Sequence, residues 1–233
     1  MIIPTYNESE NILSLMDAVQ IALPSTDILV VDDNSPDGTG KIVTKRITED
    51  RQSFLLKRAT KDGLGTAYIA GFEWALEREY THIFQMDADF SHNPVYLPIL
   101  LEKTRDYDIA IGSRWISNGQ IEGWPLSRRL LSRAANLYAR TILNTKIRDL
   151  TGGFRCFRRE VVENIIAHGV SSVGYGFLIE ITWISLSFGH TAQEIPIIFR
   201  DRIFGESKLS SATFFEALGL VWRLRYRKIN KTV

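Results

Sequence analysis

Short runs of apolar, β-branched residues recur along this chain, and polar, turn-forming clusters follow four of them directly. Ile2-Ile3 leads into Pro4-Thr5-Tyr6-Asn7-Glu8, and Ile28–Val31 into Asp32-Asp33-Asn34-Ser35-Pro36-Asp37-Gly38-Thr39. His82–Met86 leads into Asp87-Ala88-Asp89, and Asp108–Ile111 into Gly112-Ser113-Arg114. Ser53–Lys57 and Thr191–Phe199 read as two further strands. Helical patterns fill the intervals at Glu8–Leu23, Gly38–Thr48, Leu64–Glu79, Pro94–Thr104 and Ser127–Leu143. This alternation predicts an α/β fold, a largely parallel twisted sheet with helices on both faces. Ligands of such sheets sit beyond the carboxyl ends of the strands, so the four polar clusters are expected along one edge.

The cluster Asp87-Ala88-Asp89 carries the most specific chemistry. Residues two apart on an extended chain face the same way, so both carboxylates can address one point. Two hard oxygen ligands suit Mg²⁺ or Mn²⁺, which complete their shells with water and substrate phosphate. Asp-Ala-Asp is also compatible with a turn, or with the cap of a helix begun near Pro94. The convergence of four clusters favours the site.

Apolar residues make up 45% of the 233 and charged residues 24%, ordinary values for a globular chain able to bury a sizeable core. The net charge of +1 argues against a dedicated nucleic-acid binder, which needs a basic face. One cysteine, Cys156, excludes an intrachain disulfide and a cysteine-based zinc site. Its expected role is that of a small buried apolar residue. No room for a signal peptide precedes Pro4, so a cytoplasmic location is expected. The longest apolar stretch, Tyr175–Phe188, contains Glu180 and falls short of the ~20 residues of a membrane span. It reads as a buried or interfacial helix. There is no internal repeat or Gly/Ser-rich linker.

Taken in order, Pro4–Glu8, Asp32–Thr39, Lys61-Asp62-Gly63-Leu64-Gly65, Asp87–Asp89, Gly112–Arg114, Thr151–Arg155 and Arg202–Lys208 resemble the family 2 glycosyltransferases. Within that family the chain is most similar to the branch that mannosylates dolichyl or polyprenyl phosphate. The resemblance implies a GT-A nucleotide-sugar-binding fold, a catalytic domain over 1–208, GDP-mannose as donor, a divalent metal, and a polyprenyl or dolichyl monophosphate as acceptor. It places Pro4, Tyr6 and Glu8 at the nucleoside, with Val31 and Asp33 at base or ribose. Asp87, Ala88 and Asp89 would run along diphosphate and sugar, with Asp87 and Asp89 on the metal. Arg114, Arg202 and Lys208 would hold phosphate oxygens, and Arg114, Arg128 and Ser132 the acceptor phosphate. The catalytic pair implied is Asp89 and Arg114. Some relatives place a metal-binding Gln two residues after the second Asp; here Ser91 stands there.

An inverting displacement by a phosphate oxygen needs little general-base help, because a phosphate monoester is already largely dianionic with its second pKa near ~6. Surface or capping positions are accordingly expected for most of His82, His92, His168 and His190. Asp89→Ala and Arg114→Ala are expected to be folded and almost inactive. A lipid acceptor requires access to a bilayer, and two segments are suited to it. Ser127–Leu143 combines helically spaced Leu130, Ala134, Leu137, Tyr138 and Thr141 with Arg128, Arg129, Arg133 and Arg140. Ala212–Lys231, within a C-terminal basic segment 209–233, combines Phe214, Phe215, Leu218, Val221 and Trp222 with Arg223, Arg225, Arg227, Lys228 and Lys231. Basic amphipathic helices with aromatic residues lie in the membrane interface. Peripheral association with the cytoplasmic face of a membrane is therefore expected, through this surface, an integral-membrane partner subunit, or both. The alternatives are a same-fold enzyme using UDP-glucose or another nucleotide sugar, and a non-catalytic nucleotide-binding, membrane-recruitment module. A dinucleotide-dependent oxidoreductase is disfavoured, since no Gly-x-Gly-x-x-Gly follows the first strand.

Overall fold

A computed structural model describes residues 1–174, 176–201 and 211–227, with the backbone alone over 211–218. The chain runs β1 (Ile2–Thr5), α1 (Ile12–Ala22), β2 (Ile28–Asp32), α2 (Thr39–Glu49), β3 (Ser53–Lys57), α3 (Leu64–Leu76) and β4 (His82–Gln85). A 3-10 turn, Pro94–Tyr96, leads into α4 (Leu97–Lys103), followed by β5 (Ile109–Ser113), β6 (Gln120–Glu122) and α5 (Leu126–Leu143). The chain then forms β7 (Arg155–Arg158), α6 (Arg159–His168), α7 (Gly176–Ser187), β8 (Ala192–Pro196), β9 (Ile198–Arg200) and α8 (Ser211–Tyr226).

Seven strands form the main sheet in the order β3-β2-β1-β4-β7-β5-β8. All neighbours are parallel except β7, which runs antiparallel to both β4 and β5. The period of two explains why the sheet has a core on each face. Ile2, Leu29 and Val31 face α3, α6 and α7, while Ile3, Val30, Phe84 and Met86 face α1, α2 and α4. Interior strand β2 is buried throughout, as a parallel strand covered on both sides must be.

The expected strand Thr191–Phe199 divides in two. β8 ends at Pro196, which has no N–H to extend the ladder; β9 leaves the main sheet and pairs with β6 in a separate two-stranded sheet. The first helix begins at Ile12, not Glu8, because Glu8–Asn11 forms a turn in which the Glu8 carbonyl accepts the Asn11 and Ile12 N–H groups. Cys156 is fully buried, and burial pushes its thiol above the ordinary range. Helix α8 packs against α5 and α7. Leu220, Val221 and Leu224 join the core, so Val221 is not on an outer apolar face, whereas Trp222 and Tyr226 are exposed and stack on one another. Among the described residues no helix is long and apolar enough to cross a membrane.

Candidate active site

The carboxyl ends of β1 and β2 are tied together by Asp32. Its carboxylate accepts hydrogen bonds from Thr5 Oγ1 (2.9 Å), from the Ser35 N–H (3.1 Å) and from Ser35 Oγ. The next residue, Asp33, turns towards a cleft. Arg58 donates to its Oδ1 at 2.7 Å and to Thr66 Oγ1 at 2.8 Å. Burial raises the Asp33 pKa above the usual carboxylate range, with Arg58 acting in the opposite direction. One oxygen is thus committed to Arg58 while the residue still lines the cleft. Tyr6 lies nearby with the Lys61 ammonium 3.8 Å from its ring centroid.

At the end of β4 the chain presents Asp87-Ala88-Asp89 and reverses through Phe90, whose φ of +59° is uncommon for an aromatic residue. Ser91 N–H donates to Asp89 Oδ1 at 3.1 Å, closing this turn. The Asp87 N–H donates to His92 Nδ1 at 3.2 Å, and Tyr68 Oη donates to Asp87 Oδ1 at 3.4 Å. His92 is buried and stacks on Phe154, an exception to the surface or capping roles expected for most of the histidines. Burial pushes its pKa below the ordinary value, so the ring is neutral and its Nδ1 can accept the Asp87 amide proton. Gly153 gives Asp87 room: a Cβ there would stand 3.3 Å from Asp87 Oδ1.

Arg114, one residue beyond β5, is buried against Asp149. Its Nε and Nη2 donate to the two carboxylate oxygens at 2.8 and 2.7 Å, and its N–H donates to Oδ2 at 2.9 Å. Nη2 also donates to Thr151 Oγ1 at 2.9 Å. Burial, the largest single influence, would raise the Asp149 pKa, but the Arg114 charge, the hydrogen bonds from Arg114 and the Arg155 charge together hold the acid below its usual range. The guanidinium of Arg114 lies 5.6 Å from the Trp124 ring, and that of Arg128 lies 3.9 Å from the same ring. Arg128 also pairs with Asp201 at 3.1 Å.

A cleft of about 370 Å³ gathers the ends of β1, β2 and β4. Seven anticipated residues line it: Pro4, Tyr6, Glu8, Asp33, Asp87, Ala88 and Asp89. The opposite wall brings in Lys61, Gly63 and Leu64 at the start of α3, together with Gly174.

The glycosyl transferase family 2 profile matches residues 1–166. The chain is 45% identical over 222 residues to an undecaprenyl-phosphate mannosyltransferase of Micrococcus luteus, covering 95% of this chain and 91% of that protein. It is 43% identical over 231 residues to a polyprenol monophosphomannose synthase of Mycolicibacterium smegmatis, covering 97% and 87%. The chain belongs to glycosyl transferase family 2. Solved structures of glucosyl-3-phosphoglycerate synthase from Mycobacterium tuberculosis share the fold. The complex with Mn²⁺, UDP and phosphoglyceric acid superposes with a TM-score of 0.72 at 15% identity, covering 98% of this chain and 78% of that one. The complex with Mn²⁺, UDP-glucose and phosphoglyceric acid gives 0.70 at 14%, covering 96% and 78%.

Not every expected site residue of this glycosyltransferase lines the cleft. Val31 is fully buried in the core beneath it. Arg114 sits outside the lining, engaged with Asp149, while Arg128 meets it at Trp124. Ser132 is half-buried on α5, one turn before the buried Asn136 that bonds its carbonyl. Arg202 and Lys208 lie outside the described residues. Sequence reasoning quoted Lys61–Gly65 as a motif without giving Lys61 a role, and it missed Gly174 altogether. Nothing in an isolated Gly174 signals that a loop folds back onto α3.

A divalent cation fits the donor set. Asp87 and Asp89 supply hard oxygens on one cleft wall, and among the described residues no group of three His, Cys, Asp or Glu side chains forms a closed metal cage. Such a pair suits a cation that shares its coordination shell with substrate phosphate and water. His92 is not poised as a further ligand through Nδ1, which accepts the Asp87 amide proton.

Proposed function

We propose that this glycosyltransferase moves mannose from GDP-mannose to a polyprenyl monophosphate of the dolichyl or undecaprenyl type, with inversion at the anomeric carbon. One observation carries the reading: the Asp87-Ala88-Asp89 turn and Pro4, Tyr6, Glu8 and Asp33 line one cleft in a chain 43–45% identical to two mannosyltransferases of polyprenyl-type lipids. In the reaction a phosphate oxygen of the acceptor forms a bond to the mannose anomeric carbon. The bond from that carbon to the GDP oxygen breaks, and GDP leaves with the electron pair. Because the attacking phosphate is already anionic, no side chain has to remove a proton.

Tyr6 offers a ring face to the base and Asp33 a carboxylate oxygen to base or ribose N–H and O–H donors. Lys61, beside Tyr6, adds positive charge on the nucleotide side. Asp87 and Asp89 would hold Mg²⁺ or Mn²⁺, which when bound supplies charge neutralisation for the departing diphosphate. Tyr68 and His92 fix Asp87 from two sides. Arg114 and Arg128, gathered at Trp124, mark the acceptor end together with Ser132; Arg202 and Lys208 are assigned to phosphate oxygens by the family pattern.

The acceptor tail reaches this end from the membrane. Leu126, Leu130 and Leu137 are 69%, 59% and 58% exposed. At 100° per residue they fall within about 40° of one another on α5. They lie away from the side that buries Asn136 and Ala139, with Arg129 and Arg133 beside them. An apolar stripe on the outer face, flanked by arginines, suits the interface of an anionic bilayer. The protein would thus associate peripherally with the cytoplasmic membrane face. An integral-membrane partner subunit is the other route to the same acceptor.

The deciding experiment is transfer of labelled mannose from GDP-mannose to a short polyprenyl phosphate in detergent, with Mg²⁺, with Mn²⁺ and with a chelator. A mild-acid-labile lipid product that needs metal, and is absent with UDP-glucose, is expected. Transfer from UDP-glucose instead would overturn the donor assignment. GDP binding without transfer under any metal would overturn the acceptor assignment.

A further inference from the structure

Glu180 is a fully buried carboxylate on α7 that touches none of the residues assigned above. Its Oε1 accepts from the Ser171 N–H (3.1 Å) and Ser171 Oγ (2.8 Å), and its Oε2 from the Ser172 N–H (2.8 Å). Arg227 Nη1, just past the end of α8, donates to Oε1 at 3.1 Å. Three of these donors are neutral. Arg227 therefore supplies the countercharge that a carboxylate removed from water requires.

The segment held by Glu180 packs on the start of α3 and enters the cleft lining at Gly174. Val173 O accepts the Gly65 N–H at 2.9 Å. Contact is so close that a Cβ at Gly63 would stand 2.5 Å from Val173 O, and one at Gly65 2.6 Å from Ser172 O. Gly63, Leu64 and Gly174 then line the cleft together. Helix α8 meets the same region a second time, because a Cβ on Gly176 would lie 2.5 Å from Leu220 Cδ2.

We infer that Arg227 is a positioning residue for the nucleotide-sugar cleft: through Glu180 it sets the Ser171–Gly174 wall against the start of α3, and so couples the C-terminal helix to donor affinity. This rests on the cleft being the nucleotide-sugar site. Without Arg227 the buried Glu180 charge is uncompensated, and relief comes by rotating the carboxylate or drawing water in. Either movement releases the Ser171 and Ser172 N–H groups that shape the wall.

The test is calorimetric titration of the full chain with GDP and Mn²⁺, without lipid or detergent, so that membrane effects of the basic helix cannot enter. Arg227 is exposed enough for Arg227→Ala to fold, which circular dichroism and the melting temperature would verify. Arg227→Ala is expected to raise the GDP Kd by roughly three- to tenfold, the scale of a weakened charge-assisted contact. Arg227→Lys should recover most of the affinity. Steady-state assays should show the same rise in donor KM, with acceptor KM unchanged. A GDP Kd within twofold of wild type in Arg227→Ala would overturn the inference, as would equal weakening by Ala and Lys. Failure of the wild-type chain to bind GDP would instead overturn the nucleotide-cleft reading beneath it.

Discussion

The two parallel contacts between Arg114 and Asp149 change what Arg114 can be asked to do. A bidentate guanidinium pair with a fully buried carboxylate is a fixed geometric element. Removing one partner leaves the other charged and unsolvated, so Arg114→Ala should lose about 3–5 kcal/mol of stability in urea unfolding. A loss of stability would therefore accompany the loss of activity expected of this variant. Asp89→Ala removes a cleft carboxylate and should lose transfer by more than about 100-fold, measured where the variant is shown to be folded by circular dichroism. The Asp149 pair also has an acid signature. Its folded-state pKa is lowered from 3.8, so its stabilisation is fully present above that value and is lost as the pH falls through the lower folded value. Asp149→Asn should therefore be less stable at neutral pH and show a shallower loss below pH 3.8 when unfolding is titrated against pH. A sequence shows Arg114 and Asp149 as unrelated charges separated by helix α5; only the fold makes them one unit.

Elements with a strong period were legible in the sequence, and those defined by their partners were not. β2 and β3 were readable from continuous apolar or β-branched runs, and α5 from its alternation of leucine and arginine. β7 is four residues, Arg155-Cys156-Phe157-Arg158, with charge at both ends, and no local signal reveals that it enters a parallel sheet backwards. Arg155 is buried there because Leu150 O, Gly152 O, Leu178 O and Thr182 Oγ1 accept its N–H groups, an arrangement that joins the loop just before β7 to helix α7. The start of α3 is another such case. Gly63 has φ +108° and faces Val173 O, so both conformation and space demand glycine. Gly63→Ala should destabilise the chain by about 1–3 kcal/mol and weaken GDP binding at temperatures where it remains folded, as read by thermal melts and calorimetry.

At the scale of the whole molecule, the cleft edge of the sheet and the outer face of α5 carry different surfaces, one a cavity set with carboxylates, the other a stripe of exposed leucines. Charge replacement on the leucine stripe should separate their roles. Leu130→Glu with Leu137→Glu should cut cosedimentation with anionic vesicles several-fold while leaving melting temperature and GDP affinity unchanged, since both side chains are exposed. Seven of the anticipated residues reached the cleft because the rule about strand ends is topological and survives imprecise element boundaries. The Ser171–Gly174 segment escaped the sequence because its place is fixed by partners far along the chain, Gly65 at the start of α3 and Glu180 on α7. The order of strands has a temporal consequence as well. β4 and β5 flank β7 and do not pair with each other, so the strands that carry Asp87 and Arg114 are joined only through a segment made more than forty residues after β5. On the ribosome, the first half of the sheet would wait with the edge of β4 unpaired until Arg155–Arg158 emerged, and that edge is where a nascent chain of this kind is most exposed to misassociation.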